Sequence, residues 1–341
     1  MAALGADCGR AAVAFGRRAV PQLFGELREA ERRLPVLNSL CDLMHDPDRI
    51  CQAVRGGFVG HLKDLMKDEN PSVRTQTCEL LHLITAHSIG RQALLSSSLL
   101  HPLCQLMDDS AVSCRKKVHH VLNRLALLHL GGAEALMTQV PKMMLKLKEE
   151  EEEEEVQVLL LSTLSCCSRL NPVPVLYADG VSLLGSRLAH RSPDVRREAA
   201  AAMMALSVSA EGKRRVCEEA VLPVLIRLLK DEDVEVQTNA AGVIMNTAVI
   251  TSGKQQCVQL GVLPVLVSLV AEMEDAAAGR RRKALVLYSL QALTSLAEAP
   301  DARRPLLAEL PTLRRRSQAP EEDKEIRQTT LNAIRVISWT P

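Results

Sequence analysis

The stretch "LCDLMHDPDRI", Leu40 to Ile50, gathers Asp42, His45, Asp46 and Asp48. One imidazole among three carboxylates is the raw material of a metal site or an acid–base pair. Local grammar points elsewhere. A residue before proline avoids the α region, so a helix should end near His45. Asp46 is a good helix cap, Pro47 suits a first helical position, and Asp48 suits the first-turn dipole. The same grammar recurs at Asn70-Pro71-Ser72 and Ser192-Pro193-Asp194. A pattern repeated at several joints reads as punctuation rather than chemistry.

The other candidate groups are no better placed. His82 and His87 are five apart, which misses the i,i+4 spacing of a helical ligand pair. His119 and His120 are adjacent and should point to different sides. The ten cysteines contain no CxxC pair. Cys78, Cys114, Cys217 and Cys257 fall in helical runs, where a free thiol serves as a small buried hydrophobe. Reduced thiols suit a cytosolic compartment. No HExxH, GxSxG, Walker loop or GxGxxG occurs, so no enzyme and no cofactor is expected.

Charge and composition narrow the partners. Lys plus Arg number 42 and Asp plus Glu 41, so no net field favours nucleic acid or membrane. Aromatic residues make up 2% of the chain, too few for base stacking or for a β-sandwich core. No apolar run reaches the roughly 18–20 residues of a membrane span. The opening "MAALGADCGRAAVAFGRR" lacks the layout of a secretory signal.

The elements that hold these residues form a repeat. "EGKRRVCEEAVLPVLIRLLKDEDVEVQ" from Glu211 and "SGKQQCVQLGVLPVLVSLVAEMED" from Ser252 align with Gly212/Gly253, Pro223/Pro264 and Leu225/Leu266 each 41 residues apart. Acidic segment ends recur near Asp68, Asp109 and Glu150. Val-Arg or Val-Gln openings recur at Val73-Arg74, Val195-Arg196 and Val236-Gln237, with looser copies at Cys114-Arg115 and Val156-Gln157. Each copy reads as a short basic helix ("GKRRVCEEA"), a Pro-led apolar helix ("LPVLIRLLKD") and a longer Ala-rich helix ("VRREAAAAMMALSVSA").

Three helices over about 40 residues is the armadillo/HEAT period, and the Gly and Pro positions favour armadillo. The expected fold is an all-α armadillo-type α-solenoid, a right-handed superhelix of three-helix repeats with a period of about 41. The units are expected near 17–70, 71–110, 111–153, 154–192, 193–233, 234–275 and 276–320, followed by a terminal helix over 321–341. Two segments interrupt the period. Glu149–Glu155 is a run of seven Glu, expected as a solvated loop or first helical turn. A spacing of 49 from Lys254 to Arg303 marks an insertion near Gly279. The basic runs Arg280–Lys283 and Arg314–Arg316 are expected in solvated loops.

Importin-type armadillo adaptors hold extended peptides with a Trp and an Asn four residues apart on each third helix. The corresponding Trp positions here are Glu79, His120, Ala201 and Gly242, and the Asn positions are Leu83, Arg124, Ala205 and Asn246. Only Asn246 matches, so nuclear-import function is not expected. Glu79, His120, Arg124 and Asn246 are the expected partner-binding positions.

"AAVAFGRRAVPQLFGEL" (Ala11–Leu27) and "LCDLMHDPDRI" resemble the armadillo-repeat radial spoke head family, and "HLITAHSIGR", "SAEGKRRVC" and "LTSLAEAP" keep the same order. The resemblance implies a non-enzymatic scaffold in the radial spokes of motile cilia and flagella, within the cytoskeleton of the axoneme. It implies other spoke proteins as partners, with doublet-microtubule-associated proteins as a further class, and no nucleic acid, membrane or cofactor. The alternative is a soluble armadillo adaptor for cargo or signalling proteins.

Overall fold

The computed structural model describes residues 16, 18–129, 131–149, 153–272, 276–319 and 322–339, with the backbone alone for 276–281. The described residues are helical, with short connections and no strand. One repeat shows why. Ser209 accepts a hydrogen bond from the Gly212 N–H and caps the first helix, Ala210–Glu218. Pro223 lies in the first turn of the second helix, Leu222–Leu228. Asp233 accepts from the Glu235 and Val236 N–H groups and caps the third helix, Val234–Thr247.

The chain divides into two compact units, 1–140 with 151–167 and 141–150 with 168–341. In the first, the third helices are α1 (Arg33–Leu43), α2 (Pro71–Ile84), α3 (Val112–Leu128) and α4 (Glu154–Leu170), of which the residues from 168 onward count with the second unit. α1 packs on α2 and α2 on α3. In the second unit, α5 (Pro193–Leu206), α6 (Val234–Thr247), α7 (Ala276–Leu296) and α8 (Lys324–Ser338) pack consecutively. α2 and α3, like α5 and α6, start 41 residues apart, which is the period read in the sequence.

No third helix could bury its apolar side alone. α6 loses all exposure at Val236, Ala240, Ala241, Val243 and Ile244. Full burial of each Val or Ile contributes about 1.5–3 kcal/mol. Small, fully buried residues such as Ala199 and Ala200 on α5 and Ala240 and Ala241 on α6 allow close helix approach.

The "HDPDR" joint is punctuation. Asp46 Oδ1 accepts from the Asp48 N–H at 2.9 Å and starts the helix Pro47–Arg55. Asn70 does the same for α2 through the Ser72 N–H at 2.9 Å. Ser192 departs from the expectation: it occupies the cap position of α5 without a side-chain cap bond. Its Oγ is buried and lacks a hydrogen-bond partner.

The basic runs are corrected more sharply. Both lie in helices, Arg280–Lys283 in α7 and Arg314–Arg316 in Leu310–Gln318. α7 has 21 residues against 14 in α6, so the insertion lengthens a helix rather than a loop. Arg282 pairs with Glu272 at 2.5 Å. Arg316 is buried, donates to the Val270 and Glu272 carbonyls and pairs with Glu322 at 2.8 Å. Arg314 and Arg315 are exposed, as local composition favoured, but at Arg282 and Arg316 tertiary partners supplied carboxylates and carbonyls instead. Of the Glu run, Glu154 and Glu155 form the first turn of α4, and 150–152 lie outside the described residues.

Cys78, Cys114, Cys217 and Cys257 are buried free thiols, as their helical settings implied. Among the described residues no single helix is long and apolar enough to cross a membrane.

Candidate protein-binding face of the third helices

The third helices are fixed in register by a recurring device. Arg74, on the second residue pair of α2, donates from Nη1 to the carbonyls of Asp68 and Glu69 at 2.8 and 3.1 Å. Its other edge meets Asp109 in the next repeat, Nε to Oδ2 at 2.5 Å and Nη2 to Oδ1 at 3.0 Å. Asp109 Oδ1 also accepts the Ala111 N–H at 2.8 Å. Arg196 repeats this with the carbonyls of His190 and Arg191 and with Asp231. Arg33 pairs with Asp68 at 2.6 Å, and Gln237 keeps the backward bond alone, to the Asp231 carbonyl at 2.6 Å. The Val-Arg openings and the acidic segment ends are therefore two halves of one clamp.

A second row of ion pairs joins neighbouring third-helix starts. Lys116 on α3 meets Glu153 and Glu155 at α4. Arg197 on α5 meets Asp233 and Glu235 at α6, at 2.5 and 3.3 Å.

Beyond these rows the first unit carries a dense cluster. Glu79 on α2 pairs with Lys117 on α3 at 2.5 Å. His120 bonds Glu155 at 2.9 Å, and its ring centroid lies 5.2 Å from that of His82. Arg124 Nη1 donates to the His82 carbonyl. Burial lowers the His82 pKa from 6.5 to about 4, helped by the charge of Arg124 and, more weakly, of His120 and Lys117, with Glu79 opposing. Burial also lowers Arg124, and the nearby Arg91 adds to this. His119 is buried while its neighbour His120 is half-exposed, so the two do face different sides.

Of the four expected binding positions, Glu79, His120 and Arg124 come together. Asn246 belongs to the second unit, where its Nδ2 donates to Ser207 Oγ at 3.0 Å. It also reaches back to the Met204 carbonyl at 3.5 Å, as Arg124 reaches His82, each across 42 residues. At Gly242, Met204 and Tyr288 close over the backbone: an added Cβ would lie 2.2 Å from Met204 Sδ. A ladder side chain there would have to displace the Met204 side chain. Sequence reading missed His82 and Lys117. Both were within reach, since His82 is three residues from Glu79 and Lys117 three from His120, each pair sharing a helix face.

The arrangement offers charge and hydrogen-bond donors on a row of rigid helices, which suits recognition of another protein chain.

Comparison with known proteins agrees with this architecture. The model of the armadillo/β-catenin-like repeat matches residues 209–248. An engineered protein of known crystal structure is 20% identical, covers 95% of this chain and 79% of its own, and superposes with a TM-score of 0.84. A designed armadillo repeat protein in complex with the peptide (KR)4 is 20% identical over 67% of this chain and 99% of its own, with a TM-score of 0.61. Another designed armadillo repeat protein is 18% identical over 70% and 99%, with a TM-score of 0.62. Residues 209–248 thus match an armadillo/β-catenin-like repeat, and the fold around them is the all-α armadillo-repeat solenoid.

Proposed function

We propose that this chain is a non-enzymatic scaffold of the axonemal radial spoke in motile cilia and flagella, a homologue of radial spoke head protein 14. Its third-helix face holds neighbouring spoke proteins, with doublet-microtubule-associated proteins as a further partner class. The sequence stretches at Ala11–Leu27 and Leu40–Ile50 support the spoke assignment. The observation that carries the binding role is the cluster of Glu79, His120 and Arg124 on adjacent third helices. Fractionation of ciliated cells tests the assignment: the protein should stay with detergent-extracted axonemes. Complete recovery in the soluble fraction would overturn it.

The fold neighbour holding a (KR)4 peptide favours a second reading, a soluble adaptor that exchanges extended peptides of cargo or signalling proteins. It predicts measurable, reversible peptide affinity for the purified chain and a soluble pool in cells.

A further inference from the structure

We propose that Arg124 is the anchor for a carboxylate of an acidic segment on a partner protein, laid along α3. This rests on the reading of the third-helix face as a binding surface and names the chemistry of its occupant.

Several third-helix guanidinium groups are paired between repeats. Arg33, Arg74, Arg196 and Arg197 each hold a carboxylate. Arg124 does not. Among the described residues its hydrogen bond is the one from Nη1 to the His82 carbonyl, and no carboxylate lies in ion-pair reach. Glu79, the nearest acid to influence it, is engaged by Lys117. Arg124 is half-buried, and the buried Arg91 lies close enough to repel it. A partly desolvated cation beside another cation is unfavourable until a carboxylate joins it. Arg91 cannot turn away, because its Nη1 is committed to the Thr85 and Ala86 carbonyls, both at 2.9 Å.

Position says what kind of carboxylate. With Nη1 on the His82 carbonyl, Nε and Nη2 remain as the two-point edge that matches a carboxylate. Arg124 lies four residues beyond His120 and eight beyond Lys116, so the three share one helix face. The chain's own Glu153 and Glu155 already sit on Lys116 and His120. An acidic segment following the same line toward the C-terminal end of α3 reaches Arg124 next. His82 contributes a second unfilled group, since its Nδ1 is buried without a hydrogen-bond partner. A basic peptide would meet Arg124, Arg91 and Lys117 with like charge.

The test is fluorescence anisotropy on the full chain with a labelled Glu-Ser repeat peptide and its Gln-Ser counterpart. The Glu peptide should bind about tenfold or more tightly than the Gln peptide. Arg124→Gln should erase that preference, and Arg124→Lys should restore part of it. Arg214→Gln should leave it unchanged, since Arg214 is exposed and already paired with Glu211 and Glu218 on its own helix. Equal binding of the two peptides, or a Glu preference that survives Arg124→Gln, would overturn the proposal. If Arg124→Gln does not fold, a benzophenone-bearing Glu peptide on the unaltered chain decides: adducts on α2 and α3 support the site, and adducts elsewhere overturn it. Axonemal retention is measured separately, so failure here is distinguishable from failure of the scaffold reading.

Discussion

Arg196 and Asp231, 35 residues apart in sequence, meet in a two-point ion pair with Nε–Oδ2 at 2.8 Å and Nη2–Oδ1 at 3.0 Å. The same carboxylate caps the turn before α6 by accepting the Asp233 N–H at 3.0 Å. One aspartate thus ties the start of α5 to the entry of α6.

Asp231→Ala should destabilise the second unit by about 2–3 kcal/mol, because it leaves a mostly buried guanidinium unpaired. Arg196→Ala should cost a similar amount, and the double variant less than the sum of the two. Urea unfolding followed by circular dichroism reads all three; strict additivity would mean that the pair contributes nothing as a pair.

Acid should release this clamp. Burial pushes Asp231 up, but the Arg196 hydrogen bond, the Asp233 N–H and the Arg196 charge outweigh it and hold its pKa below 3.8. Arg74 and the Ala111 N–H do the same for Asp109. The folded group titrates below the unfolded one. Its contribution is therefore complete above about 3.8 and is lost as pH falls through the lower folded value. Asp231→Asn should flatten the stability–pH curve in that acid range, as seen in urea midpoints.

His82 produces a slope in a higher window. Burial and neighbouring cations lower its pKa from 6.5 to about 4, so the unfolded chain takes up the proton first. Stability should fall as pH drops from 6.5 to about 4 and then level off. His82→Gln should remove this component, and the difference between the two pH profiles of the melting midpoint isolates it.

Gly212 offers a test against helix propensity. Gly→Ala inside a helix ordinarily stabilises by about 1 kcal/mol. Here an added Cβ would lie 1.9 Å from the Leu206 carbonyl oxygen, because the first helix crosses the end of α5 at close range. Gly212→Ala should destabilise by about 1–3 kcal/mol instead. Gly253→Ala should behave alike, with the Thr247 carbonyl oxygen 2.2 Å away. A stabilised variant at either position would contradict the crossing geometry.

The buried thiols should be inert. Burial raises Cys167 and Cys257 to about 12, with a smaller contribution from Cys166 and Cys217 respectively. At pH 8 only about one thiol in ten thousand is then ionised. Iodoacetamide labelling mapped by mass spectrometry should mark the half-exposed Cys51 in the native chain and Cys257 only after unfolding.

The sequence by itself determined the helical class, the 41-residue period and the helix starts at Asp46 and Asn70. These are local or periodic properties: capping chemistry, proline geometry and apolar spacing leave direct marks on neighbouring residues. It also carried both halves of the Arg–Asp clamp as separate recurring marks. Only the tertiary structure joined them, since partners 35 residues apart meet through helix stacking. The same reason explains the basic runs. Arg316 looks like a solvated charge beside Arg314 and Arg315, yet folding buries it between the carbonyls of Val270 and Glu272 and the carboxylate of Glu322. Likewise, sequence placed Glu79, His120 and Arg124 on third-helix faces, but packing decided that Lys117 and Glu155 would engage the first two and that Arg124 would be left with a backbone carbonyl. Periodicity states which residues share a face; the distance between faces states which charges find a partner.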